Sequence, residues 1–170
     1  MRKASVVDDF ISAGTFRFLR DLRVENCRFE TLATWIMVEG SVEGPLPGNI
    51  DFINCTFEND MANQYSIWTW GGTEVKFEGC TFNTNGKAIL LYGRGKTDLI
   101  VSNCTFNDRN NGSAGKAAIE IGNDYNATYS LTTTNCTVNG FADGENTGSK
   151  LWANKNRMNA EHLSVTIDGE

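Results

Sequence analysis

The chain has 170 residues, of which 40% are hydrophobic, and its formal net charge is -6 at pH 7. This length suits a single domain with a continuous core, and an acidic chain with scattered Lys and Arg lacks the basic stripe that a nucleic-acid partner requires. No run reaches the roughly 18 apolar residues of a membrane-spanning helix, and acids stand where a signal peptide would carry its apolar region. We therefore expect neither a nucleic-acid nor a membrane partner.

The chain begins with an apolar run, FISAGTFRFL, at residues 10–19. We interpret residues 1–19 as an N-terminal cap segment and residues 20–170 as one repetitive domain. Its 17 Gly, only 2 Pro and many Asn and Thr favour short strands with frequent turns over helices.

A repeated motif surrounds all five cysteines. It reads VENCRFE, INCTFEND, FEGCTFNTNG, VSNCTFNDRN and TTNCTVNG, around Cys27, Cys55, Cys80, Cys104 and Cys136. The cysteines are 28, 25, 24 and 32 residues apart, and such periods are typical of solenoids, propellers or arrays. The extra length lies in residues 107–115 and 140–149, as expected of loops that grow from the corner of a coil.

Each unit contains two short apolar runs, for example IDFINCTF at 50–57 and KAILLYG at 87–93, separated by polar turns. Nothing of helical length has a period of 3.6 residues. Two strands per turn at this period predict a coil that winds once and then stacks on itself. The predicted fold is all-β: a single-stranded right-handed parallel β-helix of about five to six coils.

Stacked coils place equivalent residues about 4.8 Å apart, so the motif predicts three ladders. The cysteines form a ladder of buried, unpaired thiols, because stacked parallel strands suit a disulfide poorly. An asparagine ladder lies at the bend, where each amide bonds the next coil and Gly79 leaves one gap, and an aromatic column lies inside. The members of these two ladders are Asn26, Asn54, Asn103 and Asn135, and Phe29, Phe57, Phe82 and Phe106, ending in Val138.

The N-C-T-F signature with these ladders resembles the right-handed parallel β-helix superfamily typified by pectate lyases, polygalacturonases, phage tailspikes and bacterial surface proteins. The resemblance covers roughly residues 20–168 and is specific for the fold, since one solenoid hosts many chemistries. It implies an extracellular or cell-surface location and a polysaccharide or surface glycan as partner. The C-terminal coil looks open, which predicts self-association through it or a continuation beyond Glu170.

The superfamily's enzymes use paired Asp carboxylates, or Ca²⁺ with an Arg base. The hydrolase motifs do not occur here, and the best local group is Glu120 and Asp124 with Arg94 on the coil before. Alternation sends Glu120 to the surface, where the group is either a cation or sugar site or a solvated strand face with a surface salt bridge. We expect no cofactor. If the protein were a lyase, the resemblance would imply Ca²⁺.

Aromatic residues give a second set of candidates. Trp70, Tyr92 and Trp152, flanked by Arg94 and Lys155, are candidate ligand-binding residues, since flat rings suit the apolar faces of sugars. Trp68 and Trp70 also fit a place in the core. We expect Trp152 to face outward, because Leu151 aligns with Ile119 and Leu90.

The sequence favours a non-catalytic β-helix module of a cell-surface or phage-type protein that binds carbohydrate, because the repeat is complete and catalytic signatures are absent. The alternative is a polysaccharide lyase or glycoside hydrolase fragment that acts on an acidic polysaccharide.

Overall fold

The computed structural model describes residues 15–17, 22–30, 36–39, 49–62, 64–70, 73–93, 95–122 and 127–168, without the side chains of 15–17, 36–39, 70 and 73. Within these ranges the chain forms 17 strands, which lie in three parallel sheets of six, six and five strands. No helix in this described part is long and apolar enough to cross a membrane.

Each of the first five coils contributes one strand to each sheet, and the last described coil contributes β16 and β17. Sheet A has the order β1 (Thr15–Arg17), β4 (Ile36–Glu39), β7 (Ile67–Trp70), β10 (Ile89–Leu91), β13 (Ile119–Ile121) and β16 (Trp152–Asn154). Sheet B has the order β2 (Leu22–Glu25), β5 (Ile50–Ile53), β8 (Thr73–Glu78), β11 (Lys96–Ser102), β14 (Thr128–Thr134) and β17 (Leu163–Ile167). Sheet C has the order β3 (Arg28–Phe29), β6 (Thr56–Glu58), β9 (Thr81–Thr84), β12 (Thr105–Asp108) and β15 (Thr137–Asn139). This arrangement confirms the predicted all-β parallel solenoid.

The expectation of two strands per coil was wrong, because each of the first five coils has three. The run IDFINCTF is two strands, β5 and β6, divided at Asn54 and Cys55. The bend asparagines have φ values of 52° to 55°, and Gly79 takes the same conformation at 63°. A residue in the left-handed region turns the chain sharply, and it shifts the alternation by one place. Ile50 and Phe52 are buried before the bend, whereas Cys55 and Phe57 are buried after it.

The bend asparagines are exposed. The predicted contact between their amides is present where Asn135 Nδ2 donates to Asn103 Oδ1 at 2.8 Å. A longer amide ladder, which the sequence did not reveal, lies on the outer face of sheet C. There Asn139 donates to Asn107 at 2.9 Å, Asn107 to Asn83 at 2.8 Å, and Asn83 to Glu58 at 2.9 Å.

The predicted aromatic column is confirmed inside the solenoid. The rings of Phe29, Phe57, Phe82 and Phe106 stack with centroids 4.9, 4.7 and 4.9 Å apart and nearly parallel planes. Val138 pairs with Phe106 and ends the column. A second stack, Phe52 on Phe77 at 5.1 Å, meets this column edge to face. Buried aromatic rings in these geometries supply much of the core's stability.

The cysteine ladder is also confirmed, and all five thiols are free. Cys80 Sγ lies 3.3 Å from the carbonyl oxygen of Phe52, three residues before the cysteine of the preceding coil. Cys104 and Cys136 repeat this contact with Phe77 and Val101. The neighbouring Cys104 thiol and burial raise the pKa of Cys80 to about 12, against a smaller opposing effect of Cys55. Cys55, Cys80 and Cys104 are buried, while Cys27 and Cys136 at the two ends of the ladder are partly buried. The cysteines therefore serve as small apolar residues with a weak donor.

Of the expected cap segment 1–19, the structure describes only residues 15–17. They form β1, which pairs in parallel with β4 and extends sheet A. The rest of the cap lies outside the described residues, so its role stays a prediction.

Candidate functional site

The outer face of sheet A collects most of the described candidate residues. Trp68, Leu90, Glu120 and Ala153 are partners in the strand register, one on each of four successive coils. Ile89 and Ile119, which flank this column on the inner side, are fully buried in the core. Because side chains alternate along a strand, the column of Trp68 and Glu120 points away from the core.

A second column lies at the ends of the same strands. Tyr92, Gly122 and Lys155 directly follow β10, β13 and β16, and their amides continue the hydrogen bonding between coils. A side chain on Gly122 would meet Asn156 Oδ1 at 2.9 Å and the Lys155 stem at 3.4 Å. Gly122 therefore leaves room for the stem of Lys155 to lie over it.

Glu120 points outward as expected, but it is not solvated. Its exposed fraction is 1%, because the residues before the sheet A strands cover it. Tyr65 donates its hydroxyl proton to Glu120 Oε2, and Lys116 Nζ lies 3.3 Å from Oε1. Tyr65 and Glu120 belong to coils two apart, so the pair spans the coil of Leu90, which is only 7% exposed. Burial and the negative charge of Glu120 raise the pKa of the Tyr65 hydroxyl.

A second lysine lies near this carboxylate. The ammonium group of Lys87 lies 5.0 Å from the centre of the Tyr65 ring, within reach of a cation–π interaction. Burial lowers the pKa of Lys87, and the charges of Lys116 and Lys155 lower it further, while Glu120 opposes them. Lys116 thus pairs with the buried carboxylate directly, and Lys87 lies near it across the Tyr65 ring.

Two aromatic rings lie beside this group. Trp68 and Tyr92 are half-buried, with centroids 6.2 Å apart and planes tilted by 60°. Trp68 Nε1 donates to the Tyr92 carbonyl at 3.3 Å, which fixes the orientation of the indole. The interpretation of Trp68 as a core residue is therefore wrong, since it belongs to the outer face.

Trp152 does not face outward as we expected from the sequence. Its register partner is Ile119, so Trp152 stands one place along from the predicted alignment and packs against the hydrophobic core. Ala153 occupies the outward position beside Glu120 instead. The long loop before β16 carries no motif that fixes the register, and a slip of one residue moves every side chain to the other face.

The structure therefore brings together Glu120, Tyr92 and Lys155 of the candidates from the sequence. Arg94 and Asp124 lie outside the described residues, as does the side chain of Trp70. Sequence reasoning missed Tyr65, Lys87 and Lys116. They lie two or three residues before β7, β10 and β13, and comparing that position across the repeats would have found the first two.

The described donor set around Glu120 does not fit Ca²⁺. Calcium takes six to eight oxygen ligands, whereas Glu120 is engaged by a tyrosine hydroxyl and a lysine. Across the described residues, no three His, Cys, Asp or Glu side chains gather in a group that could hold a metal ion. What the arrangement offers is hydrogen bonding, positive charge and flat apolar rings on a rigid sheet.

Three parallel sheets wound from one strand each per coil, with internal Phe and Cys ladders, define the class of the protein as a parallel β-solenoid. The chain belongs to the right-handed β-helix family, since the model of the right handed beta helix region matches residues 9–164. No curated protein and no solved structure matches the chain.

Proposed function

We propose that the protein is a non-catalytic β-helix module that binds carbohydrate on the outer face of sheet A. The observation that carries this proposal is the Trp68 and Tyr92 pair, half-buried on a rigid sheet and bordered by Glu120, Tyr65 and lysines. Aromatic faces pack on the apolar faces of sugar rings, and nearby polar groups hydrogen-bond the hydroxyls.

The family supports the setting of this proposal. A β-helix presents an elongated face along its axis, which suits an extended glycan displayed on a cell surface. We place the module in a cell-surface or phage-type protein outside the cell, in line with the resemblance noted from the sequence. A second chain at the C-terminal coil is a further proposed partner.

The experiment is native affinity electrophoresis in gels that contain a panel of polysaccharides. We expect the protein to be retarded by at least one polymer, and Trp68→Ala and Tyr92→Ala to weaken that binding about tenfold, equivalent to ~1.4 kcal/mol each. Ile100→Ala is the matched control, because Ile100 is an outward, half-buried apolar residue on sheet B. Equal retardation of the wild type and the Trp68 variant would contradict the proposed face.

A second candidate function is a polysaccharide lyase or glycoside hydrolase fragment that acts on an acidic polysaccharide. It is favoured by the contact of Tyr65 with Glu120 and by the lowered pKa of Lys87, because such groups can exchange protons with a substrate. The same gels discriminate the two functions. Clearing of the polymer by the wild type, lost in Glu120→Gln, would establish the enzyme, and retardation without clearing supports the binding module.

A further inference from the structure

We propose that Asn111 is an acceptor for an N-linked sugar, displayed by the loop that joins β12 of sheet C to β13 of sheet A. Sugar transfer to asparagine requires the motif Asn-x-Ser/Thr, in which x is not Pro. The chain contains this motif at 54–56, 103–105, 111–113, 126–128 and 135–137. Asn126 lies outside the described residues, so the structure compares the other four.

The loop presents both recognised residues of its motif to solvent. Exposed and half-buried residues alternate from 111 to 115, and Asn111 and Ser113 are both exposed. Gly112 between them is half-buried, and a β-carbon there would lie 3.3 Å from the carbonyl oxygen of Gly140 on the next coil. Among the described residues, no hydrogen bond engages the side chain of Asn111 or of Ser113. The acceptor amide and the hydroxyl are therefore both available to an enzyme.

Only turn hydrogen bonds hold this motif in place. Asp108, which is 5% exposed, accepts from the backbone N–H of Asn110 at 2.8 Å and of Gly112 at 2.7 Å. The backbone N–H of Ser113 donates to the Asn110 carbonyl at 3.1 Å, and that of Gly115 to the Gly112 carbonyl at 2.9 Å. An enzyme can draw the motif into its active site by releasing these bonds, while the strands on either side stay paired.

The motifs at the bend between sheets B and C differ in this respect. Asn103 is exposed, but the middle residue of its motif, Cys104, is buried in the cysteine ladder. The third residue, Thr105, lies in β12, which pairs with β9 on one side and β15 on the other. An enzyme can bind this motif only if a central strand leaves its sheet and a cysteine leaves the core. We therefore expect Asn103 to accept a sugar in the unfolded chain alone, and Asn111 in the folded protein as well.

The transfer requires an activated sugar as co-reactant, a sugar pyrophosphate carried on a lipid. The Nδ2 atom of Asn111 attacks the anomeric carbon of the sugar, and a C–N bond forms there while the C–O bond to the pyrophosphate breaks. The lipid pyrophosphate leaves and the amide loses one proton, so nothing is oxidised or reduced. This site lies on the protein itself and does not depend on the proposed binding of carbohydrate at sheet A.

The experiment incubates the folded full-length chain with a lipid-linked oligosaccharide and an oligosaccharyltransferase that recognises Asn-x-Ser/Thr. A synthetic peptide of residues 97–118 contains both motifs without the solenoid, and it serves as the unfolded reference. Mass spectrometry of the glycopeptides measures the rate at each asparagine. In the folded protein Asn111 should be modified more than about tenfold faster than Asn103, because opening a turn costs less than opening a central strand. In the peptide the two rates should be comparable.

Variants of the loop identify the residues that carry the site. Asn111→Gln and Ser113→Ala should each abolish transfer to the loop, whereas Ser113→Thr should retain it, since the hydroxyl is preserved. Asn110→Gln is the matched control, because it replaces an exposed asparagine of the same loop that begins no motif. Circular dichroism checks that each variant is folded.

Two results would overturn the proposal. One is a folded protein that carries no sugar on Asn111 although the peptide is modified there. The other is equal modification of Asn111 and Asn103 in the folded protein, which would show that the loop gives Asn111 no advantage over the bend.

Discussion

The residues with left-handed backbone determine the cross-section of the solenoid. Asn26, Asn54, Asn103 and Asn135 occupy this conformation at the bend between sheets B and C, and Gly79 replaces asparagine on one coil. Asparagine tolerates positive φ better than other residues with a side chain, and its amide can also bond to the next coil. Glycine meets only the first of these two requirements.

Substitution of Gly79 tests this account. Gly79→Ala should lower the free energy of unfolding by about 1 to 2 kcal/mol, because a β-carbon is disfavoured at φ 63°. The new β-carbon would also lie 2.5 Å from Asn54 Oδ1, so the Asn54 side chain must move. Gly79→Asn should cost less than Gly79→Ala, since it restores the residue used on the other coils. Urea denaturation monitored by circular dichroism measures both.

The matched control is Gly115→Ala. Gly115 has φ 62°, and a β-carbon there would meet nothing within 4 Å. Gly115→Ala therefore has the free-energy cost of a β-carbon at positive φ, but its β-carbon contacts no neighbouring side chain. If Gly79→Ala destabilises no more than Gly115→Ala, the contact with Asn54 contributes nothing to the requirement for glycine.

At the scale of the strands, the amide ladder on sheet C binds neighbouring coils through side chains. Asn107 is its central member, because it donates to Asn83 and accepts from Asn139. Hydrogen bonds between stacked amides polarise one another, so an internal member of a ladder contributes more than a terminal one.

Asn107→Ala should therefore be more destabilising than Asn139→Ala. We expect about 1 to 2 kcal/mol for Asn107→Ala, which removes two hydrogen bonds, and about 0.5 to 1 kcal/mol for Asn139→Ala, which removes one. Thermal unfolding of the two variants side by side provides the measurement. Equal losses at both positions would show that solvent replaces the amide contacts and that the ladder adds no stability of its own.

The strands also show what sequence could predict. The Cys and Phe positions were predictable because the motif fixes its own register within six residues. The division of IDFINCTF into two strands was missed, although the buried positions shift by one place at Asn54, from Ile50 and Phe52 to Cys55 and Phe57. Trp152 was placed on the wrong face because residues 140–151 change length between repeats. The burial of Glu120 depends on Tyr65, 55 residues away, and no local pattern reveals that contact.

At the scale of the molecule, stability should vary along the solenoid axis. Backbone pairing joins each coil only to its neighbours, so the stability of a strand depends on how many neighbouring strands it has. Within the described residues, β11 pairs with β8 and β14, whereas β17 pairs with β14 alone. One side of β17 therefore presents backbone donors and acceptors that no described strand satisfies.

Hydrogen exchange measured by mass spectrometry tests this variation. In dilute protein, the amides of β17 should exchange at least tenfold faster than those of β11, because local opening at an edge strand costs less than opening in the centre. At high protein concentration, exchange in β17 should slow while exchange in β11 stays the same, since a second copy that stacks on the C-terminal coil would pair with the β17 edge. If exchange in β17 were the same at low and high protein concentration, self-association at this end would be refuted. If the amides of β17 and β11 exchanged equally slowly in dilute protein, strand stability would not depend on the number of neighbouring strands.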